Sequence, residues 1–222
     1  MRAMAAVALS CCICFGQSIS VGLTGGVLTT DDLSGSGATG VSKRYVVGPA
    51  VDIGLPFGLG VEVDALYRRE GYQTAFSNAF GYSVFSDERA NSWEFPMLAK
   101  YRIPFAAVKP FVEVGYAPRV INGSVSSTSA FPTAVINPSN GSVTSGGVES
   151  AHAITSTNWP VSHGLVVGGG VQFGMGRLRL APAVRYTHWN NMAISGYYGD
   201  GPSWQSTRNQ FDVLLNIGWK VR

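Results

Sequence analysis

From Arg177 to Tyr186 the chain alternates strictly: Arg177, Arg179 and Arg185 hold odd positions, while Leu178, Leu180, Val184 and Tyr186 hold the even ones. A period of two is the spacing at which successive side chains leave a strand on opposite faces, so the run is predicted extended, with one charged, small face and one large, apolar face. A second extended run, residues 165–173, precedes it across Gly174-Met175-Gly176, where glycine permits the positive φ of a tight turn. Together they predict a β-hairpin. A soluble sheet alternates as well, so which face looks outward depends on the rest of the chain.

The same rule holds in residues 18–28, 45–53, 59–68, 93–103, 110–120 and 210–221, which with the hairpin makes eight predicted strands. Their connections differ in a regular way. Residues 56–58, 104–108 and 174–176 are short turns, whereas residues 29–42, 70–92, 121–162 and 190–207 are long and polar. Tight turns at one end and long loops at the other are the layout of an outer-membrane barrel, with the turns and both termini on the periplasmic side. The expected fold is all-β: an eight-stranded antiparallel up-and-down transmembrane β-barrel with short periplasmic turns and long extracellular loops.

Charge placement bears on which face meets lipid. Within the strands, Asp52, Glu62, Asp64, Glu94, Glu113 and Asp212 share one face with Arg68, Lys100, Arg102, Arg119, Arg179, Arg185 and Lys220. The middle of the opposite face carries no charge, as a lipid-facing surface requires when a buried cation costs about 2–4 kcal/mol. A soluble barrel with an apolar interior would exclude charge from that face too. Three features favour lipid. Aromatic residues cluster at strand ends, with Tyr45, Tyr67, Trp93, Tyr186 and Phe211 toward the long loops and Tyr101, Phe173 and Trp219 toward the turns, like paired interfacial girdles. The charged face is rich in Gly and Ala, as a narrow lumen demands, and strands of about ten residues span the hydrocarbon layer when tilted.

Residues 1–16 have a different character: Arg2, an apolar run from Ala3 to Phe15, and a small-x-small site at Cys14-Phe15-Gly16. They are expected to form a secretory signal peptide cut after Gly16, leaving residues 17–222 as the barrel domain. Cys11, Cys12 and Cys14 all fall in this segment, so the remaining chain offers neither disulfide nor thiolate chemistry. A lipoprotein would retain Cys11 as an acylated terminus, but an apolar run ending at Ser10 is short for that. No run after residue 16 is long enough for a transmembrane helix. The net charge of +3 is small and its cations are interleaved with acids, unlike a nucleic-acid surface.

Three stretches carry a family likeness: Glu94-Phe95-Pro96-Met97-Leu98-Ala99-Lys100-Tyr101-Arg102, Lys109-Pro110-Phe111-Val112-Glu113-Val114-Gly115 and Leu180-Ala181-Pro182-Ala183-Val184-Arg185-Tyr186. They resemble the bacterial outer-membrane β-barrel domain family that includes PorT-like proteins, similar in shape to the OmpA transmembrane domain and OmpX. The resemblance covers nearly all of the chain after residue 16 and implies a fold, not an activity. Such barrels often end in an aromatic residue read by the assembly machinery; this chain ends Trp219-Lys220-Val221-Arg222, so either that role is expected to pass to Trp219 or assembly is expected to be less efficient. Pro49, Pro96, Pro110, Pro118 and Pro182 fall in or near strands, where bulges or strand ends are expected because a closed barrel has no free edge.

An eight-stranded barrel is about wide enough to be filled by side chains, and unpaired buried charges are costly. A salt-bridged plug around Glu62, Glu94, Glu113, Arg102, Arg179 and Arg185 is therefore expected, with a narrow ion or small-solute channel as the alternative. His152, His163 and His188 are isolated and give no metal-ligand spacing, and no cofactor is expected. A rim enzyme would need His188 beside Ser162 or Ser195, but no nucleophile, base and orienter can be placed together. The fourth class is a secreted lipocalin-like binder with its apolar face inward. The loop 121–162, rich in Ser, Thr, Gly, Asn and Val, reads either as an ordinary surface loop or as a contact patch for an extracellular partner. Its sequons at Asn122-Gly123-Ser124 and Asn140-Gly141-Ser142 are taken as chance matches. The expected surroundings are outer-membrane lipids, the barrel assembly machinery during biogenesis, and no second copy.

Overall fold

In a computed structural model of the chain, the residues described are 18–31, 33–35, 38–77, 83–103, 108–130, 134–136, 139–140, 143–145, 148–151, 161–191, 195–196 and 204–221. Residues 1–16, the expected signal peptide, and His152 lie outside them. The eight alternating runs form the staves of one barrel: β1 (Ser18–Leu28), β2 (Tyr45–Gly54), β3 (Leu59–Asp64 continued by Leu66–Ser77), β4 (Ser83–Glu94 and Met97–Arg102), β5 (Val108–Ala130), β6 (Ser162–Met175), β7 (Leu178–Trp189) and β8 (Asn209–Lys220). Each stave is antiparallel to the next, and β8 returns to β1 with Trp219 opposite Val21. Closure pairs the backbone on both sides of every stave, which is what allows a sheet to stand in lipid.

The hairpin's open question is answered by exposure. Leu165 and Val112 are 67% and 61% exposed, whereas Glu62 and Arg68 are 2% exposed. Large aliphatic side chains cover the outside and the charges are inside, the reverse of a soluble barrel. That removes the lipocalin-like reading. A skin of Val, Leu and Ile is stable only against an apolar solvent.

The girdle aromatics lie on this outer surface. Toward the long loops, Tyr67 packs on Trp93 with ring centroids 5.3 Å apart, and Tyr186 on Phe211 at 4.7 Å, while Tyr45 is exposed nearby. Tyr101, Phe173 and Trp219 are exposed at the turn end. The hairpin turn itself is shorter than the glycines suggest. Met175 pairs with Leu178, so the turn is Gly176-Arg177, and Gly176 alone takes a positive φ, of 64°. This is the first-position glycine of a type II′ turn.

Two expectations are corrected. Residues 70–77 and 83–92 are not loop: β3 and β4 stay paired from Leu66 opposite Glu94 to Ser77 opposite Ser83, and β5 runs beside β4 as far as Ala130. Above the girdle both faces of a strand can be polar, so hydrophobic periodicity disappears while the ladder continues. The strand prolines, expected at bulges or strand ends, make no bulges, though Pro96 does fall at a strand end, between the two parts of β4. Pro49, Pro96 and Pro118 each fall where ladder pairing is broken without an extra residue, and their carbonyls still accept from the N–H groups of Ala65, Asp64 and Phe95. Each proline thus forfeits one donor while its acceptor is kept.

Candidate functional site in the barrel interior

Alternation directs every second side chain of each stave into the lumen, and the structure gathers the inward charges into three layers. Nearest the turns, Arg102 and Arg179 converge on Asp52. Arg102 bonds one carboxylate oxygen and Arg179 Nη1 lies 3.0 Å from the other. Arg179 Nη1 also donates to Ser20 Oγ at 2.7 Å, and Arg102 Nε to Gln172 Oε1 at 3.0 Å.

The middle layer is the densest. Arg185 from β7 reaches Glu113 on β5 at 3.0 Å and Asp64 and Glu62 on β3 at 2.9 and 3.2 Å. Lys100 from β4 pairs with Glu62 and lies 3.1 Å from Glu113, with Nζ 4.5 Å from the Phe111 ring centroid. Two cations therefore hold three carboxylates from opposite walls. All five side chains are buried.

In the outer layer Arg68 lies 3.0 Å from Asp212 and 3.7 Å from Glu94. Gln210 donates to Asp212 at 2.8 Å and to Glu94 at 3.2 Å, and accepts from Trp189 Nε1 at 2.9 Å. Arg119 stacks on Trp189 at 4.0 Å and is 4.0 Å from Glu70, which accepts from Tyr72 at 2.9 Å.

The placement differs from expectation in four ways. Lys220 is exposed at the turn end, with no ion pair among the described residues. Glu70, read as a loop acid, is buried in the outer layer. The signal was present, since Arg68, Glu70, Tyr72 and Thr74 continue the inward parity of β3, but they are too polar to register as a hydrophobic pattern. Gln172 and Gln210, which tie the end layers together, carry no charge to draw attention. The lumen also holds apolar groups beside the ion pairs: Leu98, Ala117, Val166 and Trp189 form one cluster, and Val46, Leu66 and Leu214 another.

Among the described residues at the rim, the histidines and serine considered for catalysis are not brought together. His188 shares hydrogen bonds with Asn209 at 2.8 Å and Tyr186 at 3.4 Å, and His163 stacks on Tyr116. Ser162 is buried facing inward, its hydroxyl bonding neither histidine. Among the described residues no group of His, Cys, Asp or Glu is arranged to hold a metal.

The family described as outer membrane protein beta-barrel domain matches residues 15–188. Among solved structures, outer membrane protein OprG from Pseudomonas aeruginosa aligns with a TM-score of 0.50 at 12% identity, over 93% of this chain and 95% of that one. Neisserial surface protein A aligns with a TM-score of 0.46 at 13% identity, over 92% and 99% of the two chains. No curated protein matches in sequence. At such identities the likeness is one of fold.

Proposed function

The chain belongs to the outer membrane protein beta-barrel domain family, and from that premise we propose that it is a non-catalytic barrel whose interior is a salt-bridged plug and whose work is done at its outer rim. Its place is the outer membrane. The observation that supports a plug is the middle layer: Arg185 and Lys100 draw together Glu62, Asp64 and Glu113 from opposite walls, across the lumen. Opening a path there would separate buried partners, each left with an uncompensated charge. Recording in planar bilayers tests it. A plugged barrel gives no steady conductance, and sustained large openings by the wild-type protein would overturn the reading in favour of a channel.

The rim role draws on the sheet wall of β3, β4 and β5 that rises above the aromatic girdle, where residues Val148–Ala151 pair with β5. The expected loop 121–162 begins as the top of β5, which runs to Ala130, and ends at the first residue of β6, so the proposed contact patch for an extracellular partner is residues 131–161. Deleting residues 131–161 is expected to abolish binding of whole cells to their target surface while leaving barrel assembly intact. Delivery by a signal peptide over residues 1–16 in a Gram-negative cell, insertion by the barrel assembly machinery and a monomeric state complete the proposal.

A further inference from the structure

The turn end of the barrel is chemically unlike the rest of the molecule. Among the described residues, every acid except Asp52 lies in or above the middle layer, whereas Arg102, Lys109, Arg177, Arg179 and Lys220 are all at the turn end. None of residues 54–60, 103–110 or 172–178 is acidic. The cations are not spread evenly. Four of them, Arg102, Lys109, Arg179 and Lys220, line one cavity of about 350 Å³ at the mouth, together with Gln172 and without any acid in its wall.

We propose that this mouth is a binding site for a small multivalent oxyanion, a phosphorylated solute of the periplasm. Charge carries the first step: four cations face a single carboxylate, Asp52, which sits behind Arg102 and Arg179 and leaves an excess of three positive charges. Pre-organisation carries the second. Asp52, Ser20 and Gln172 fix the two guanidinium groups at the cavity floor, and a planar fork of donors held in place suits phosphate oxygens. Lys109 and Lys220 are exposed at the rim, and among the described residues neither has an ion pair, so their ammonium groups are available to a ligand. The cavity is large enough for a phosphorylated molecule of modest size. Its four cations and Gln172 belong to the inward parity of their staves, so the barrel wall separates these groups from lipid. A soluble anion fits this position and a phospholipid headgroup does not. The periplasmic source follows from the orientation adopted above, with short turns inward; the binding chemistry is independent of it.

The test is calorimetric titration of the refolded full chain, in a zwitterionic detergent at fixed ionic strength, with inorganic pyrophosphate as probe. Saturable one-to-one binding is expected. Lys109→Gln combined with Lys220→Gln should weaken it at least about tenfold, as the loss of charge-assisted hydrogen bonds implies. Lys43→Gln, at the opposite end, should leave it unchanged. Both lysines are exposed, so the double variant is expected to fold, which its heat-modifiable migration on gels verifies. Absence of saturable binding by the wild type, or equal binding by the double variant and the wild type, overturns the proposal. Neither result bears on conductance, so the plug stands or falls separately.

Discussion

Arg185 reaches Glu113 across Gly168. In the sheet register Gly168 on β6 is opposite Glu113 on one side and opposite Arg185 on the other, and the guanidinium Nε donates to Glu113 Oε1 at 3.0 Å over the intervening stave. A Cβ at Gly168 would come 2.8 Å from both Glu113 Oε1 and the Val184 carbonyl oxygen. The missing side chain is what lets residues two staves apart meet.

Gly168→Ala is therefore expected to destabilise the barrel by about 1–3 kcal/mol, the usual range for overpacking. Urea-dependent folding into phosphatidylcholine bilayers measures it. An unchanged midpoint would show that the ion pair moves aside freely.

Removing Arg185 should be harsher. Arg185→Met leaves Glu62, Asp64 and Glu113 facing one another with only Lys100 to compensate, and loss of one member of a buried network costs about 3–5 kcal/mol. Adding Glu113→Gln should recover part of the loss. The same folding assay, run as a double-mutant cycle, checks the recovery; strictly additive losses would argue against a coupled middle layer.

The lipid-facing assignment predicts a depth-dependent penalty. Val114 on β5 is 58% exposed and faces Ala99 and Val167 on its neighbouring staves, midway between the girdles. Val114→Arg should cost about 2–4 kcal/mol in bilayers, while Val41→Arg above the girdle should cost about 0–1 kcal/mol. Equal penalties at the two positions would contradict the assignment.

One effect of pH is expected above the membrane. Burial pushes the Glu88 carboxyl, on the extension of β4, above the ordinary glutamate value. A carboxyl raised on folding favours the folded state while it is protonated, and that contribution is lost as pH rises through its folded-state pKa. Glu88→Gln should therefore raise thermal stability at pH 8 and leave it little changed at pH 4. Melting curves at the two pH values decide, and a larger gain at pH 4 would reverse the sign argued here.

Much of the fold was legible because lipid and lumen impose opposite demands on alternate residues. Wherever a stave crosses the membrane, the pattern is written residue by residue, from Val21 and Leu23 on β1 to Ile217 and Trp219 on β8. It fades beyond Arg68 and below Trp93, where water replaces lipid and the ladder between β3 and β4 no longer needs an apolar face. That is why Glu70 was misread as a loop residue and why the sheet wall was invisible.

The Arg177 to Tyr186 alternation by itself determined the local facts: a strand, two faces, and the charges on one of them. With the other runs it determined stave number, turn end and loop end, since these depend only on local periodicity and segment length. Which charge meets which was decided by closure. Arg185 finds Glu62, Asp64 and Glu113 because curvature brings staves far apart in sequence within reach across a lumen only a few side chains wide. No periodicity along one strand encodes that distance. The same closure gathers Arg102, Lys109, Arg179 and Lys220 from four different staves around one mouth.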